Sequence, residues 1–536
     1  MTFLALFYLS ALSHVGAGDL ALTDQADASD AVYSKLWGKN GEKWSPASRL
    51  PDFSFAGYHS GEIPIPTITK NVVSVADFGA NVGTDISLAS ANDAAFQAAI
   101  TKVQNLGGGV VYFPAGTYVL TEQVKIASSN LIIRGAGRDR TTLYYPKPLA
   151  EAVGRVAGAV SSGVDVLIYH YCCGFISFEG DDNEELVGAL SSDAKRGSQV
   201  LTLTSASGLS AGQFVSLRQH DKSQSLVRHI LADDPMPANK KIADIRFISK
   251  IVSVEGNKIT LERPLRLDAR RAWNAAIYKW SPSVQEVGIE DLTIKFQKAR
   301  WGGQFSEEGF NAVNFTKTAN SWARNLRIHN ADSGIYVSGR FMTIQNIEFT
   351  ADPGVGYEGL EAKYTGITGN DGINPKGALD VLMDGINFET DFNDEFTFDT
   401  YANGNVIMNS TGVNLEFDHH GNINFENLVT NVYVGRGDNI YDSGGSKKAM
   451  PHAGARFTLW NVSNAACNLK EPGFGLYGLP WGPKQQNIVA LCSSRPESLS
   501  PTGLWFEPID PAKIQPQNLY LAQLNHRLGK LPAPTP

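Results

Sequence analysis

Cysteine is scarce, with 4 residues in a chain of 536, and methionine numbers only 6. So sparse a set excludes a small disulfide-dense scaffold, and no second Cys/His cluster offers the spacing of a structural zinc site. An excess of positive charge is also missing. Lys and Arg total 46 against 54 Asp and Glu, a net charge of -8, so a nucleic-acid-binding surface is not expected. Beyond the N-terminus no stretch approaches the ~20 apolar residues that span a bilayer, and no membrane partner is expected. What is present is a 43% share of hydrophobic residues, enough for a large core and against general disorder. The 52 glycines, with many Asn, Asp, Ser and Thr residues, predict tight turns between short strands.

Residues 1–17, MTFLALFYLSALSHVGA, lack Asp, Glu, Lys and Arg and have an apolar centre from Phe3 to Leu12. Val15 and Ala17 suit the -3 and -1 places of a cleavage site, so a secreted, extracellular protein cut after Ala17 is expected. Asn314, Asn409 and Asn461 each open an Asn-x-Ser/Thr triplet, an acceptor for glycosylation in such a pathway. In an oxidising compartment Cys467 and Cys492 are expected to close a C-terminal loop as a disulfide. The adjacent Cys172 and Cys173 are open to two states, a vicinal bridge or a pair of buried thiols.

The pattern then becomes that of a stack. Ala94, Ala95, Phe96, Ala98, Ala99, Ile100 and Val103 predict a short amphipathic helix begun by Asn92 or Asp93 and ended by Gly107, Gly108 and Gly109. Strands follow over Val110–Phe113 and Thr117–Leu120. A helix capping the first coil would cover an otherwise open edge and core. Later, IEDLTIKF from Ile289, ARNLRIHN from Ala323, FMTIQNIEF from Phe341, MDGINFET from Met383 and VTNVYVG from Val429 recur as short alternating strands. Leu326 to Ile347 is one step of 21 residues; Ile347 to Ile386 (39) and Ile386 to Val432 (46) each read as two coils. Residues 185–285 break the pattern with longer alternating runs and a Gly256-Asn257 turn, which predicts an inserted antiparallel β module. Within it, Asp221 to Asp234 is read as a mobile loop.

The strings DFGA from Asp77 and GGGVVYFPAGTY from Gly107 resemble the opening of the pectate-lyase-like superfamily of rhamnogalacturonase and epimerase type. The resemblance implies an all-β fold, a single-stranded right-handed parallel β-helix. The organisation is then a signal peptide (1–17), a leader (18–70), the capped start of the β-helix (71–184), the inserted module (185–285), the β-helix with a candidate groove (286–465) and a covering tail (466–536).

Ionisable residues concentrate between 384 and 456. In NLEFDHHGNINFENL from Asn414, a period of two with Leu415 and Phe417 inward sends Glu416, Asp418 and His420 outward together and His419 inward. Clustering such groups is costly unless they bind something or share protons. Asp391 projects from an earlier coil and Arg436 from a later one, so Asp391, Asp418 and Arg436 are expected in one ladder. Catalytic candidates are therefore Asp418, His420, His419, Glu416 and Asp391. Substrate contacts are expected from Arg436, His452 and Arg456, and from the aromatic platforms Trp301 and Tyr357. No metal is assigned; if one binds, Ca2+ suits oxygen ligands, and Asp394 and Glu395 in an acidic loop with Asp399 are the candidates.

From Gly334 to Val462 the chain also resembles a secreted subgroup with a D-H-H core, a Ser443-Gly444-Gly445 turn and a segment from His452 to Asn461. That subgroup carries no defined activity, so the resemblance implies no reaction. The polygalacturonase set N-T-D, D-D, G-H-G and R-I-K is absent, as is the epimerase D-P-H-E. A polysaccharide partner is expected, with either monomer or homo-oligomer possible. The favoured reaction is β-elimination on an acidic, uronate-containing polymer, in which Arg436 or a cation neutralises the C6 carboxylate and a His removes the C5 proton. Inverting hydrolysis by a carboxylate pair and non-catalytic binding of cell-wall carbohydrate are the alternatives.

Overall fold

The computed structural model describes residues 30–161, 164–235, 244–298, 300–441, 443–444, 451–470 and 481–533. The expected signal peptide (1–17) and Gly445 lie outside the described residues. Through the middle of the chain each coil contributes one strand to a 16-stranded sheet and one to a seven-stranded sheet. In the middle of the chain the alternation runs Gly288–Phe296, Asn311–Thr316, Trp322–His329, Ser333–Val337, Thr343–Thr350, Gly369–Pro375, Leu382–Phe388 and Phe392–Asp399. Neighbouring rungs pair in parallel in both sheets, so the fold is a parallel β-helix.

One residue per rung builds the core. Ile289, Ala323, Ile344, Met383, Ile407, Val429, Leu459 and Ile488 stand in register in the long sheet, and all are buried. Phe349 stacks on Phe388 with ring centroids 4.3 Å apart. Leu326 pairs with Ile347, as the step of 21 requires. Ile347 also pairs directly with Ile386, so the step of 39 is one coil with a long excursion rather than two coils. The excursion holds the loop around Tyr357 and Tyr364 and the strand Gly369–Pro375.

The many asparagines have a backbone cause. Asp291, Asn325, Asn346, Gly385, Asn409, Asn431, Asn461 and Ala490 each take a left-handed conformation at the same place on successive rungs. Asn tolerates that region better than other residues with a side chain. Their amides also bond along the stack, Asn431 to Asn409 at 2.8 Å and Asn461 to Asn431 at 3.1 Å.

The capping helix spans Ala89–Asn105 and buries Ala95, Phe96, Ala99, Ile100 and Val103 against the first coils. It begins earlier than the sequence suggests. Asn92 and Asp93 lie inside it and tie it to the coil, Asn92 through Asn81 and Val119 and Asp93 through Thr121. The helix continues from a 3-10 turn, Ile86–Leu88, which Asp85 caps by accepting from the Ser87 N–H.

Between Ile176–Glu179 and Gly288–Phe296 the chain builds a six-stranded antiparallel sheet. Its hairpin joins Ile245–Glu255 to Lys258–Leu261 through Gly256, at φ 60°, and Asn257. Residues Asp221–Ile230 are not a loose loop. The Asp221 carboxylate accepts from the N–H groups of Ser223 and Leu226, and helix Ser225–Ile230 buries Leu226, Val227 and Ile230 against Ile423 and Phe425.

Buried ion pairs lock this sheet to the β-helix. Asp380 accepts from Arg263 and Arg266, each at 2.7 Å. Glu426 faces Arg456 at 2.6 Å, Arg196 at 3.4 Å and Arg266 at 3.7 Å. Arg456, expected to meet substrate, is therefore committed to Glu426 and buried.

Cys172 is joined to Cys173 and Cys467 to Cys492. The second bridge closes a loop of sequence separation 25. Replacing both Cys467 and Cys492 by Ser is expected to lower stability by about 3 kcal/mol through the freed unfolded chain, read as a lower urea midpoint.

The two sheets differ in what covers them. Leu382, Val406, Met408, Leu428, Trp460 and Val489 on the outer side of the long sheet lie beneath Trp37, Leu50 and Phe53 and the C-terminal helix Leu519–Leu528. The outward-facing side chains of the seven-stranded sheet are instead polar, and Ser177, Tyr336, Asn374, Thr397 and Asp418 among them are buried.

Candidate active site

That polar side is built by register. Ser177, Asn314, Tyr336 and Asn374 stand on successive rungs, and Thr397 pairs with Asp418 one residue beyond the Ile373–Phe396 and Phe396–Phe417 pairs. Six polar side chains thus form one row, spanning roughly 24 Å at the ~4.8 Å strand spacing. A parallel row holds Asn311, Ser333, Asp371 and Asp394. A third places Lys376 beside Asp399 and Asp399 beside His420. The rows touch: Asp371 lies 3.0 Å from the Tyr336 hydroxyl and 3.1 Å from that of Thr397.

At the C-terminal end of the face Asp418 and His420 form a pair. The buried Asp418 carboxylate meets His420 Nδ1 at 2.8 Å and accepts the Gly444 N–H. Burial alone would depress His420, but Asp418 outweighs it, with Asp399 and Asp371 adding to the effect, and His420 is pushed up to about 9. Burial would raise Asp418, yet His420 and the Gly444 N–H hold it below the usual carboxylate range. The pair is therefore carboxylate and imidazolium at neutral pH. The His420 side chain is 32% exposed, and with Nδ1 engaged, Nε2 is the nitrogen left to face a ligand.

Gly444 is needed for close approach. A Cβ there would stand 2.5 Å from His420 Nδ1 and 3.1 Å from Asp418 Oδ1. Gly444→Ala is expected to displace the imidazole from Asp418 and lower the pH at which His420 titrates, with the melting temperature little changed; an NMR pH titration and thermal melting check this.

His419 does not reach the polar face. It points inward among Phe398, Phe457 and Trp481, with Nδ1 2.6 Å from Asn424 Oδ1, and burial depresses it to about 3. His452 is buried nearby, close enough for its charge to act on His419. Glu416 lies just before the strand Phe417–His420. Its N–H donates to Glu395 Oε2 at 3.1 Å.

Asp394 and Glu395 lie on the strand Phe392–Asp399 and are buried, not in an exposed acidic loop. Burial, then Glu416 and Asp391, push the Glu395 carboxyl well up. Among the described residues no group of three His, Cys, Asp or Glu side chains is placed to hold a metal. Asp391 and Arg436 do meet, but as an ion pair with each other, and Arg436 also holds Asp438 at 3.0 Å. The partner of Asp418 is His420, so the expected three-member ladder separates into two pairs.

Trp301 is buried edge-on against Tyr357 and Tyr364, and its indole N–H donates to Glu307 at 3.2 Å. It is a strut rather than a platform; Tyr357 is only half-buried. Glu307 in turn meets His170 Nδ1 at 2.8 Å, and the His170 carbonyl lies 3.0 Å from the Tyr336 hydroxyl. This chain of contacts ends at the polar face.

Asp371 escaped sequence reading. Its signal was the separation of 23 residues from Asp394, one coil, which the direct pairing of the two rungs reflects. The buried amide oxygens of Asn311, Asn370 and Asn374 also have no protein partner.

Residues 72–155, the cap and first coils, match the family described as "Rhamnogalacturonase A/epimerase, pectate lyase-like". The fold is that of the pectate-lyase-like β-helix proteins. The match ends well before the polar face. No curated protein matches the chain in sequence. Among solved structures, the tailspike protein gp49 from Pseudomonas phage LKA1 is 15% identical at a TM-score of 0.46, covering 75% of this chain. This chain spans 62% of that tailspike. An exopolygalacturonase from Thermotoga maritima is 12% identical at a TM-score of 0.30, covering 75% of this chain and 73% of that one. An alginate lyase from Paenibacillus sp. is 9% identical at a TM-score of 0.33, covering 77% and 94%.

Proposed function

We propose that this pectate-lyase-like chain is a secreted carbohydrate-active enzyme that cleaves a polysaccharide on the outer face of its seven-stranded sheet by acid–base catalysis. The observation that carries the reading is the Asp418–His420 pair set among Asp371, Asp394 and Asp399 on adjoining rungs of one polar face. His420, held as imidazolium, donates a proton to the departing glycosidic oxygen. A carboxylate of the same face, Asp371 or Asp399, takes a proton from the attacking water. Asp418 stays buried and orients the ring.

Two features weigh against β-elimination at neutral pH. Elimination would need a base other than His420, because its pairing with Asp418 favours the imidazolium. It also needs a cation on the C6 carboxylate, and Arg436 is engaged by Asp391 and Asp438. Secretion is proposed from the apolar N-terminal 17 residues and from the two disulfides, which suit an oxidising compartment.

Incubation with a panel of plant, algal and bacterial polysaccharides tests the reaction. New reducing ends without ultraviolet absorbance of an unsaturated product are expected. Absorbance rising in step with the reducing ends would replace hydrolysis by elimination, and binding without turnover would remove the enzyme reading.

A further inference from the structure

Two carboxylates, Asp371 and Asp399, stand near enough to His420 to serve as the base, and their partners separate them. Asp371 is spent on the fold. One of its oxygens accepts from the Thr397 hydroxyl at 3.1 Å, the other from the Tyr336 hydroxyl at 3.0 Å and the Asn370 amide at 3.3 Å. Asp399 accepts from the Thr400 hydroxyl at 2.7 Å with one oxygen, and its other oxygen faces Lys376 Nζ at 3.5 Å. The Lys376 side chain is 44% exposed and that of Asp399 10%, so this pair lies at the open edge of the face.

Register sets Lys376, Asp399 and His420 on three successive rungs, in that order. Phe398 and His419 pair side by side in the core, so Asp399 and His420, one residue further along each strand, both point outward. An anion and a cation on adjoining rungs, ~4.8 Å apart at the backbone, attract each other. Two partners oppose that collapse. Asp418 holds His420 Nδ1 at 2.8 Å from within its own strand, and Lys376 holds Asp399 from the rung on its far side. A water attacking between an acid and a base needs the two groups about 6.5–9.5 Å apart, more than one rung provides. The pull of Lys376 on Asp399 is what opens that gap.

We infer that Asp399 is the catalytic base and that Lys376 is a positioning residue, which holds Asp399 clear of His420. The assignment rests on the hydrolytic reading of this face. His420 Nε2 gives its proton to the glycosidic oxygen as the C1–O bond breaks. Water adds to C1 and loses a proton to Asp399, and exchange with solvent returns the imidazole and the carboxylic acid to their starting charges. Without Lys376 the Asp399 carboxylate turns to the imidazolium and takes the place of the water.

Release of reducing ends by the native chain is measured first, on the polysaccharide panel; no release overturns the hydrolysis and this assignment with it. The other arms use a polymer that the native chain hydrolyses. Asp399→Ala is expected to lower kcat by about a hundredfold to ten-thousandfold. Sodium azide is expected to restore its turnover with a glycosyl azide as product, because azide attacks C1 without shedding a proton. Lys376→Met is expected to lower kcat with KM little changed, and Lys376→Arg to keep the native rate. Of the carboxylates that act on His420, namely Asp418, Asp399 and Asp371, Lys376→Met releases only Asp399. The His420 NMR titration is therefore expected to move to higher pH in Lys376→Met, and not to move when the same change is made in the Asp399→Asn chain. Asp399→Ala that hydrolyses at the native rate, or that melts like the native chain yet stays inactive with azide, overturns the base assignment alone. A titration unmoved by Lys376→Met, or moved equally without Asp399, overturns the positioning role.

Discussion

Asp418→Asn is expected to lower kcat by about a hundredfold to ten-thousandfold, the range of a lost general acid, with little change in KM. Asp418 is fully buried and touches no substrate; it acts through His420. Its charge is what lifts the imidazole to about 9 against the opposing effect of burial. Asparagine can keep the hydrogen bond but not the charge, so His420 falls to or below its ordinary value and is neutral at pH 7. The alkaline limb of the activity profile must then move acidward by about two pH units, which loss of packing alone would not produce. Full activity with an unmoved limb would show that the pair is structural.

The same linkage has a stability side. His420 has its folded value raised, so its contribution is complete below about 6.5 and is lost as pH rises through about 9. Asp418 has its folded value depressed, so its contribution is present above the ordinary carboxylate range and is lost as pH falls.

Glu426→Ala is the second large effect, and it falls on the fold. Glu426 is buried, and Arg196, Arg266 and Arg456 converge on it. Burial would raise its carboxyl, but the three guanidinium groups together hold it below its ordinary value. Without it three cations share a buried space with no matching anion at that point. Breaking a buried pair by removing one partner costs about 3–5 kcal/mol, and here more than one pair is broken. Urea denaturation is expected to show a loss of at least that size, and the inserted module is expected to become protease-sensitive first. A loss below about 1 kcal/mol would mean that water already reaches the cluster.

Periodicity made the stack readable because each rung must bury an apolar residue at one position. The column from Ile289 to Ile488 could therefore be found as recurring strands. Coil lengths were less legible. The excursion between Ile347 and Ile386 is long enough to pass for an extra coil, and only the pairing of the two residues excludes it. Alternation likewise set Asp418 and His420 on one side and His419 on the other, as the strand Phe417–His420 has them. Glu416 and Asp391 lie just outside the strands Phe417–His420 and Phe392–Asp399, where the period of two no longer fixes direction. Burial was the hardest property to read. Trp301, Arg456, Asp394 and Glu395 look like surface groups in sequence, yet each is buried by elements remote in the chain. The tyrosine and aspartate that complete the polar face, Tyr336 and Asp371, sit in strands whose motifs carry no charge pattern of their own.

A crystal structure of the Asp418→Asn protein with a bound oligosaccharide of its polymer tests the account most directly. The chain of sugars is predicted to lie along the row from Tyr336 to position 418, with a glycosidic oxygen within hydrogen-bond reach of His420 Nε2. Sugars found on the outer side of the 16-stranded sheet, or with His420 turned away from every glycosidic oxygen, would contradict it.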